Sequence, residues 1–227
     1  MACMGLAAGV KAVNAVLKAG KVCDAFGNLP GFNVACGSRE FMHLLHKKML
    51  CELFCCCKDA GKQACVDKVL KEADADGSSY YKQPTHDIDN NPTQQSSSGS
   101  RKPDVVTVKE PGFLSFLSNI EDVFEMKFPG DRYRSKVGGD GMSQLESYKQ
   151  RYGKKFEGGD INVDTCDCNN DGGGGGTPLL DKAKDFQFFV LDAPPPRLVP
   201  YPVNPSPRPG MPPPIALPGW LLLLMAL

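Results

Sequence analysis

Proline restricts regular secondary structure to the part of this chain that precedes Asp192. Of the 19 prolines in the 227 residues, 13 lie within residues 157–227, where the sequence includes two PPP runs and PYPVNPSPRPG. Proline fixes φ and has no N–H donor, so such a segment favours polyproline II and excludes a helix or a central strand. We therefore predict a Pro-rich tail at residues 193–227, which ends in the apolar tip GWLLLLMAL.

The charges of this chain are balanced overall but not along its length. The 26 basic and 26 acidic residues give zero formal net charge, which excludes binding to nucleic acid through an overall positive charge. Residues 1–71 and 101–156 have net charges of +5 and +3, whereas residues 72–100 and 157–227 each have −4. The two basic segments could therefore line one groove if the fold brings them together.

The sequence predicts neither a membrane span nor a cleavable signal. No stretch reaches the roughly 18–20 apolar residues that a transmembrane helix needs, so we expect no stable membrane insertion. Residues 1–16 are apolar and small, but no basic region precedes them, and Lys11 lies inside the stretch. This pattern is unlike a secretory signal, although export through a machinery that needs no cleavable peptide is compatible with it.

The N-terminal region, residues 1–75, is predicted to be helical, rich in cysteine and packed on the core. Apolar side chains recur at helical spacing in residues 5–19, 38–54 and 62–73, and Ser38 is a candidate N-cap of the second helix. Residues 76–102 are polar and contain the run SSSGS. Their composition predicts a long loop between the helical region and the core.

The core domain is predicted to occupy residues 103–192. The β-branched run DVVTV (104–108) and the alternating run DVFEMKF (122–128) both predict strands. The run MSQLESYKQRY (142–152) suits a helix, and FQFFVL (186–191) predicts a later buried strand. The order of these runs favours an α/β domain with a small sheet.

Two carboxylates and a lysine are expected to meet on the two predicted strands. Asp104 begins the first strand, and Glu125 and Lys127 lie two residues apart on the second. Because strand side chains alternate, Glu125 and Lys127 face one way and Met126 faces the other. Two close carboxylates favour a hard divalent cation such as Mg²⁺, to which the Met126 backbone carbonyl could also bind.

This combination of residues indicates a metal-dependent phosphodiesterase. A bound divalent cation lowers the pKa of its water and stabilises negative charge on a scissile phosphate. A lysine beside the cation can orient that water or offset charge in the transition state. The alternative interpretation of Asp104, Glu125 and Lys127 is a surface strand edge with a solvated charge pair.

The segment RKPDVVTV…VFEMKFPGD…SQLESY, within residues 101–152, resembles the VRR-NUC branch of the PD-(D/E)xK nuclease superfamily. In that branch a PDVV strand is followed by a strand of the form E-I/V-K-F/A-P-G-D. A helix with an early Gln and an aromatic residue four positions later comes next. The resemblance implies a restriction-endonuclease-like small mixed sheet flanked by helices, and Mg²⁺- or Mn²⁺-dependent hydrolysis of DNA phosphodiester bonds.

The resemblance also implies roles for individual residues. Asp104 and Glu125 match the metal positions, Lys127 matches the catalytic lysine, and Gln144 and Tyr148 match the helix that follows the strands. Gln144 would support the site or contact DNA. The candidates for a further acid, which the family places on the helix before the first strand, are Glu40, Glu52 and Glu72. Besides Tyr148, the side chains that flank the proposed site and are candidates for DNA contacts are Arg101, Arg132, Arg134 and Lys136.

Within this branch the outer features of the chain look most like antibacterial effector nucleases of the type VI secretion class. Such a toxin leaves the producer without a cleavable signal, acts in the target-cell cytoplasm and is neutralised by a cognate immunity protein. A component of the secretion apparatus is then a further expected partner. Two alternatives stay open: a repair or phage-type nuclease that processes branched DNA, and a non-catalytic adaptor with a degenerate nuclease core.

The remaining chemistry-bearing residues leave several interpretations open. Eight of the ten cysteines lie in residues 3–65, where disulfides, free thiols and a zinc site with His43 and His46 are all compatible with the spacing. His86 lies in the polar run THDIDN, which favours a solvated side chain over a catalytic base. The five glycines at 172–176 are typical of a flexible spacer rather than a nucleotide-binding loop.

Overall fold

The computed structural model describes residues 5–29, 32–77, 79–87, 89, 91–95, 99–113, 115–134, 142–168 and 179–186. The helices in these ranges are α1 (Leu6–Lys18), α2 (Val22–Phe26), α3 (Arg39–Cys57), α4 (Gln63–Ala73), α5 (Gln144–Tyr152) and α6 (Leu179–Phe186), with a short 3-10 helix at Gly153–Phe156. The strands are β1 (Tyr81–Lys82), β2 (Thr85–His86), β3 (Pro92–Thr93), β4 (Val105–Val108), β5 (Ile120–Lys127) and β6 (Asp160–Asn162). Across these ranges no helix combines the length and the apolar character that crossing a membrane would require.

Several features predicted from the sequence lie outside the described residues. They are Lys136, the five glycines at 172–176, residues 187–191 of the last predicted strand, and the tail at 193–227. Phe186, the first residue of that predicted strand, instead ends helix α6. A short apolar run does not distinguish a strand from a buried helix by its periodicity alone.

Four strands form a mixed sheet in the order β1–β4–β5–β6. β4 is antiparallel to both β1 and β5, whereas β6 is parallel to β5. Parallel neighbours need a crossover connection, and α5 lies in the connection between β5 and β6. The predicted strands at 104–108 and 122–128 correspond to β4 and β5, so the prediction of a mixed α/β architecture is confirmed.

The polar segment 76–102 contains more structure than its composition predicts. β1 adds an edge strand to the main sheet, and β2 pairs with β3 in a separate two-stranded sheet. Each of these strands is only two residues long. A pair of residues cannot display an alternating pattern, so these strands arise from pairing with tertiary neighbours rather than from a local signal.

The N-terminal helices cover one face of the sheet. Phe41 and Met49 of α3 are fully buried in one apolar cluster with Phe124 and Met126 of β5. Full burial of each large apolar side chain contributes about 1.5–3 kcal/mol. The three helices predicted for this region are confirmed as α1, α3 and α4, and the Ser38 hydroxyl caps α3 by accepting the Phe41 N–H at 3.1 Å.

Helix α5 and the 3-10 helix after it cover the opposite face of the sheet. Tyr148, Tyr152 and Phe156 form a second buried cluster with Val106 of β4 and Val123 of β5. The predicted helix at 142–152 is therefore confirmed, with its apolar side on the sheet. β4 and β5 are therefore covered on both faces. Side chains at the ends of these strands lie at the edge of the buried core.

The described cysteines form disulfides, which answers the question that their spacing left open. The pairs are Cys23–Cys36, Cys51–Cys166, Cys55–Cys168 and Cys57–Cys65, and Cys56 is also disulfide-bonded. No cysteine in the described ranges is free. Two of these bridges join α3 to the segment that directly follows β6, and no cysteine in the described ranges serves in a zinc site.

The prediction that His86 is a solvated side chain is wrong. His86 is 0 % exposed, and its backbone forms a bridge with Arg101. Its Nε2 lies 2.8 Å from the Ser115 carbonyl and its Nδ1 lies 2.9 Å from the Tyr152 hydroxyl. A carbonyl oxygen only accepts, so Nε2 carries the proton and Nδ1 of the neutral ring accepts from Tyr152. The polar residues around His86 conceal this buried position.

Burial of His86 is expected to make stability fall on mild acidification. Burial lowers the pKa of the His86 imidazole, and the bond to Ser115 only partly offsets this effect. The unfolded state, with a His pKa of about 6.5, therefore binds the proton more readily. The stability from neutral His86 is present above about pH 6.5 and is lost below it, by at most about 1.4 kcal/mol per pH unit.

Urea unfolding of the wild type and His86→Gln between pH 7.5 and 5 tests this expectation. Glutamine retains polar atoms but does not titrate, so the variant should lose less stability on acidification than the wild type. Equal slopes of the unfolding free energy against pH in the two proteins would contradict the assignment of this effect to His86.

Candidate active site

Asp104, Glu125 and Lys127 meet where β4 begins and β5 ends. Val105 pairs with Phe124 in the antiparallel ladder, so Asp104, one residue earlier, lies across from Glu125. Lys127 Nζ lies 2.5 Å from Glu125 Oε1. The three residues predicted from the sequence to form one site are therefore adjacent in the fold.

Strand alternation places Glu125 and Lys127 on the face of the sheet that α5 covers. Met126, between them, is 2 % exposed and lies in the cluster under the N-terminal helices. Val123, two residues before Glu125, lies in the cluster under α5. The predicted arrangement, with the acid and the lysine on one side and Met126 on the other, is confirmed.

The Asp104 carboxylate is held by the backbone of the neighbouring strand. Its Oδ2 accepts the Met126 N–H at 2.7 Å. A strand residue directs its N–H and its C=O toward the same neighbouring strand, so the Met126 carbonyl is also directed toward the β4 side. This is consistent with the predicted use of that carbonyl as a ligand next to Asp104.

Gln144, the first residue of α5, holds the Glu125 carboxylate by a hydrogen bond. Its Nε2 donates to Glu125 Oε1 at 2.6 Å, and its backbone N–H donates to the Arg134 carbonyl at 2.9 Å. The helix begins here because Ser143 and Glu146 form a capping box, which is a strong N-terminal signal in the sequence. A locally encoded cap thus fixes the residue that orients the buried carboxylate.

Burial is the main cause of the raised pKa values of the Asp104 and Glu125 carboxyls. Burial, followed by the nearby Glu125 charge, raises the pKa of Asp104 to about 7. Burial also raises the pKa of Glu125, although the Lys127 ammonium opposes this effect. Two desolvated carboxylates beside one lysine leave the site with more negative charge than the protein compensates.

The donor set of this site fits a hard divalent cation. Glu125 is 2 % exposed, and no described residue binds its Oε2 with normal hydrogen-bond geometry, although the Tyr148 hydroxyl and the Asp104 N–H lie near enough to lower the pKa of this carboxyl. A buried carboxylate oxygen without a partner is costly unless a cation or proton occupies it. In the described ranges no three His, Cys, Asp or Glu side chains are arranged to hold a metal ion. A cation at this site would be held by Asp104, Glu125 and the Met126 carbonyl, all of which are oxygen donors of the kind that Mg²⁺ prefers.

A helix acid without a distinctive sequence signal, Asp67, lies near this site. Asp67 on α4 lies close enough to Asp104 to contribute to the rise in its pKa. Its Oδ1 accepts two glutamine amides, from Gln63 at 2.7 Å and from Gln83 at 2.5 Å. Helical spacing alone does not show which acid on several helices turns toward a strand end, so only the packing reveals Asp67.

The three glutamates considered for this position have other environments. Glu40 is exposed in the first turn of α3, and the Glu72 side chain is 54 % exposed beside Lys68. Glu52 accepts the backbone N–H groups of Leu179 and Leu180 at 2.6 and 3.0 Å. It therefore caps the first turn of α6, which leaves Asp67 as the helix acid beside Asp104.

Arg132 and Arg134 are exposed on the segment that follows β5. Tyr133, between them, is half-buried, and Lys127 Nζ lies 4.9 Å from the centre of its ring. Both arginines are therefore open to solvent on the segment that follows the end of β5, as residues that contact phosphates need to be. Lys136, the next predicted contact, is outside the described residues.

Arg101 and Tyr148 are internal residues rather than exposed ones. Arg101 is 6 % exposed, and its Nε donates to the Ser147 hydroxyl at 2.5 Å. Tyr148 is 2 % exposed, and its hydroxyl donates to the Lys102 carbonyl at 3.0 Å. Both residues join α5 to the start of β4, so the structure does not present either of them to DNA.

A second acid that sequence reasoning missed, Asp160, lies on β6. Asp160 pairs with Glu125 in the parallel ladder, and paired residues of a sheet face the same side. The run DIN is three residues long, follows a turn and has no hydrophobic pattern, so no local signal predicts a strand there. The parallel pairing with β5 alone brings this carboxylate to the site.

Comparisons with known proteins provide no relative for this chain. No family model matches its sequence, and no curated protein matches it at a significant level. No solved structure matches the fold at a significant level. The functional conclusion therefore depends on the residues and geometry described above.

Proposed function

We propose that this chain is a metal-dependent DNA phosphodiesterase, and that it is an antibacterial toxin effector delivered by a type VI secretion system. The observation that supports this most strongly is the meeting of Asp104, Glu125 and Lys127 where β4 begins and β5 ends. Lys127 Nζ binds Glu125 Oε1 there, and the buried Glu125 Oε2 has no hydrogen-bond partner of normal geometry among the described residues. Such a site favours a divalent cation next to a lysine, which is the arrangement that phosphodiester hydrolysis needs.

The architecture supports the same proposal. The resemblance to VRR-NUC nucleases implies a PDVV strand, an ExK strand and a following helix within a small mixed sheet. β4, β5 and α5 follow in that order, and the sheet has helices on both faces. The restriction-endonuclease-like identity of the fold is part of this proposal.

Asp104, Glu125 and the Met126 carbonyl would hold Mg²⁺ or Mn²⁺. The cation, when bound, lowers the pKa of a bound water and stabilises negative charge on the scissile phosphate. Lys127, two residues after Glu125 on β5, orients the attacking water or offsets the charge that develops on the phosphate oxygens. Gln144 keeps the Glu125 carboxylate in place through its 2.6 Å hydrogen bond.

DNA would approach across the exposed segment after β5. Arg132 and Arg134 are exposed there, and guanidinium groups bind phosphates with paired hydrogen bonds. Contacts of this kind position the backbone without reading sequence, so a toxin that degrades DNA of any sequence would need no more. The proposed partners are therefore DNA and a cognate immunity protein that blocks this surface in the producer.

Replacement of Lys127 tests the proposed function directly. Induced expression of the wild type in a bacterium should fragment genomic DNA, and Lys127→Ala should leave it intact. On purified plasmid with Mg²⁺, the variant should cleave at roughly one hundredth of the wild-type rate or below. The reason is that loss of one charge-stabilising group costs about 3 kcal/mol of transition-state stabilisation.

Lys149→Ala is the matched control, because Lys149 is exposed on α5 and its loss should leave cleavage unchanged. If the wild type leaves both genomic and plasmid DNA intact in the presence of Mg²⁺ or Mn²⁺, the nuclease proposal fails. That result would favour a non-catalytic adaptor. Cleavage by the wild type without toxicity to an unprotected cell would instead contradict the toxin role.

A further inference from the structure

The site contains a second carboxylate oxygen that lacks a hydrogen-bond partner. Asp160 Oδ1 is buried, and no described residue donates a hydrogen bond to it. Asp160 pairs with Glu125 in the parallel ladder, and Asn162 pairs with Lys127. Ile161, between them, packs in the cluster under the N-terminal helices. Asp160 is therefore on the same side of the sheet as Glu125 and Lys127.

Lys127 is the cation of the site that lies within reach of both acids. It lies 2.5 Å from Glu125 Oε1. Burial raises the pKa of Asp160, and the charge of Lys47 and, to a smaller extent, that of Lys127 lower it. Diagonal neighbours on adjacent strands are about 7–8 Å apart, a distance that a long side chain can span. Lys47 of α3 is also near Asp160, but its Nζ donates to the Gly158 carbonyl at 2.8 Å.

A divalent cation at Glu125 would compete with Lys127 for the same carboxylate. Like charges at such short separation repel strongly in a partly buried site, so Lys127 needs another anion when the cation binds. Asp160 is the neighbouring carboxylate with an unused buried acceptor. Its strand is held beside β5 by the bridges Cys51–Cys166 and Cys55–Cys168, which begin four residues after β6 ends.

We propose that Asp160 is a positioning residue, which takes up the Lys127 ammonium when a divalent cation occupies Glu125. Asp160 thereby keeps the lysine directed along the face where the phosphate would lie. It is not itself a ligand of the cation. This inference rests on the proposed function, because it assumes that the cation binds at Glu125.

The test is a cycle of Mn²⁺ affinities measured by titration calorimetry in four proteins: the wild type, Asp160→Asn, Lys127→Met and the double variant. Without Asp160, the ammonium stays on Glu125 and competes with Mn²⁺, so we expect Asp160→Asn to weaken binding about tenfold. Without the lysine there is no competition, so Asp160→Asn should change the affinity of Lys127→Met by less than about threefold.

Equal weakening of Mn²⁺ binding in both backgrounds would overturn the proposal. It would show that Asp160 is a direct ligand of the cation or attracts it through its charge, without acting through Lys127. No weakening in either background would also overturn it. Asp164→Asn, which removes an exposed carboxylate two residues after β6, is the control and should leave the affinity unchanged. Matching melting temperatures would show that each variant is folded.

The outcomes for the two proposals are distinguishable. If the wild type binds Mn²⁺ but cleaves no DNA, the nuclease proposal fails and the affinity cycle still decides the role of Asp160. If the wild type does not bind Mn²⁺ at all, both proposals fail. Where Mn²⁺ binds, a crystal structure of the Mn²⁺ complex should show Lys127 Nζ nearer to Asp160 than to Glu125, and the reverse would contradict the proposed movement of Lys127.

Discussion

Asp104→Asn is expected to abolish metal-dependent DNA cleavage and at the same time to stabilise the protein at pH 8. Asparagine keeps an acceptor for the Met126 N–H, which Asp104 Oδ2 binds at 2.7 Å, but it removes the charge. Because a proposed metal ligand is lost, cleavage should fall by roughly a thousandfold or more, equivalent to about 4 kcal/mol.

The stabilisation follows from the sign of the pKa shift. Burial and the neighbouring Glu125 raise the pKa of folded Asp104 to about 7, whereas the unfolded value is about 3.9. The folded state therefore binds the proton more tightly, and stability decreases as the pH rises from about 4 to 7. Above pH 7 the buried charge is a constant penalty, which Asn removes and which we place at about 1–3 kcal/mol.

Thermal unfolding without metal, at pH 5 and at pH 8, measures this effect. At pH 8 the variant should melt about 2–4 °C higher for each kcal/mol gained, and at pH 5 the difference should shrink. Asp59→Asn, at an exposed turn position, is the control and should change neither cleavage nor stability. A lower melting temperature for Asp104→Asn at pH 8 would show that the charge is compensated within the protein.

The second large effect concerns the two bridges between α3 and the segment after β6. Cys51–Cys166 and Cys55–Cys168 span 115 and 113 residues. Once one bridge is closed, the other closes only a short additional ring of a few residues. Loop entropy therefore gives about 5 kcal/mol to the first bridge and about 2.5 kcal/mol to the second.

Paired Cys→Ala replacements test this estimate by urea unfolding. Removal of either bridge alone should cost about 2.5 kcal/mol, whereas removal of both should cost about 7.5 kcal/mol, more than the sum of the single losses. If the variant without both bridges is unfolded in buffer, that also agrees with the expectation, because total domain stability is about 5–15 kcal/mol. Strict additivity of the two single losses would contradict the nested-loop account.

These bridges also bear on where the protein folds. Disulfides form and persist in oxidising compartments, and they are rare in the cytosol. For the proposed effector, action in the target-cell cytoplasm therefore depends on how slowly the bridges are reduced there. Because β6 contains Asp160 and is tethered through these bridges, reduction would release one side of the site.

The central part of the site could be predicted because its signals are local. The alternation of β5 predicts that Glu125 and Lys127 share a face, and proline followed by a β-branched run places Asp104 at the start of β4. The capping pair around Gln144 sets the start of α5 at the right residue. In each case the relevant physical preference acts over a few neighbouring residues.

Other features depend on contacts between distant segments. Asp67, Asp160 and buried His86 lie in stretches without a distinctive pattern, and their roles come from packing against β4, β5 and α5. The burial of Arg101 and Tyr148 likewise depends on how α5 docks on the sheet. The sequence shows which charged and aromatic residues flank a site, but it does not show which of these side chains are buried.

The amino-acid order of this chain is sufficient to predict the main helices, the two central strands and the acid–acid–lysine group on them. Their signals are helical spacing, strand alternation and caps, which act within a few residues. The tertiary structure decided the disulfide pairing, the parallel strand β6 and the second acids, Asp67 and Asp160. These features require residues up to 115 positions apart to meet, and such meetings are set by the packing of the whole core rather than by any short stretch of sequence.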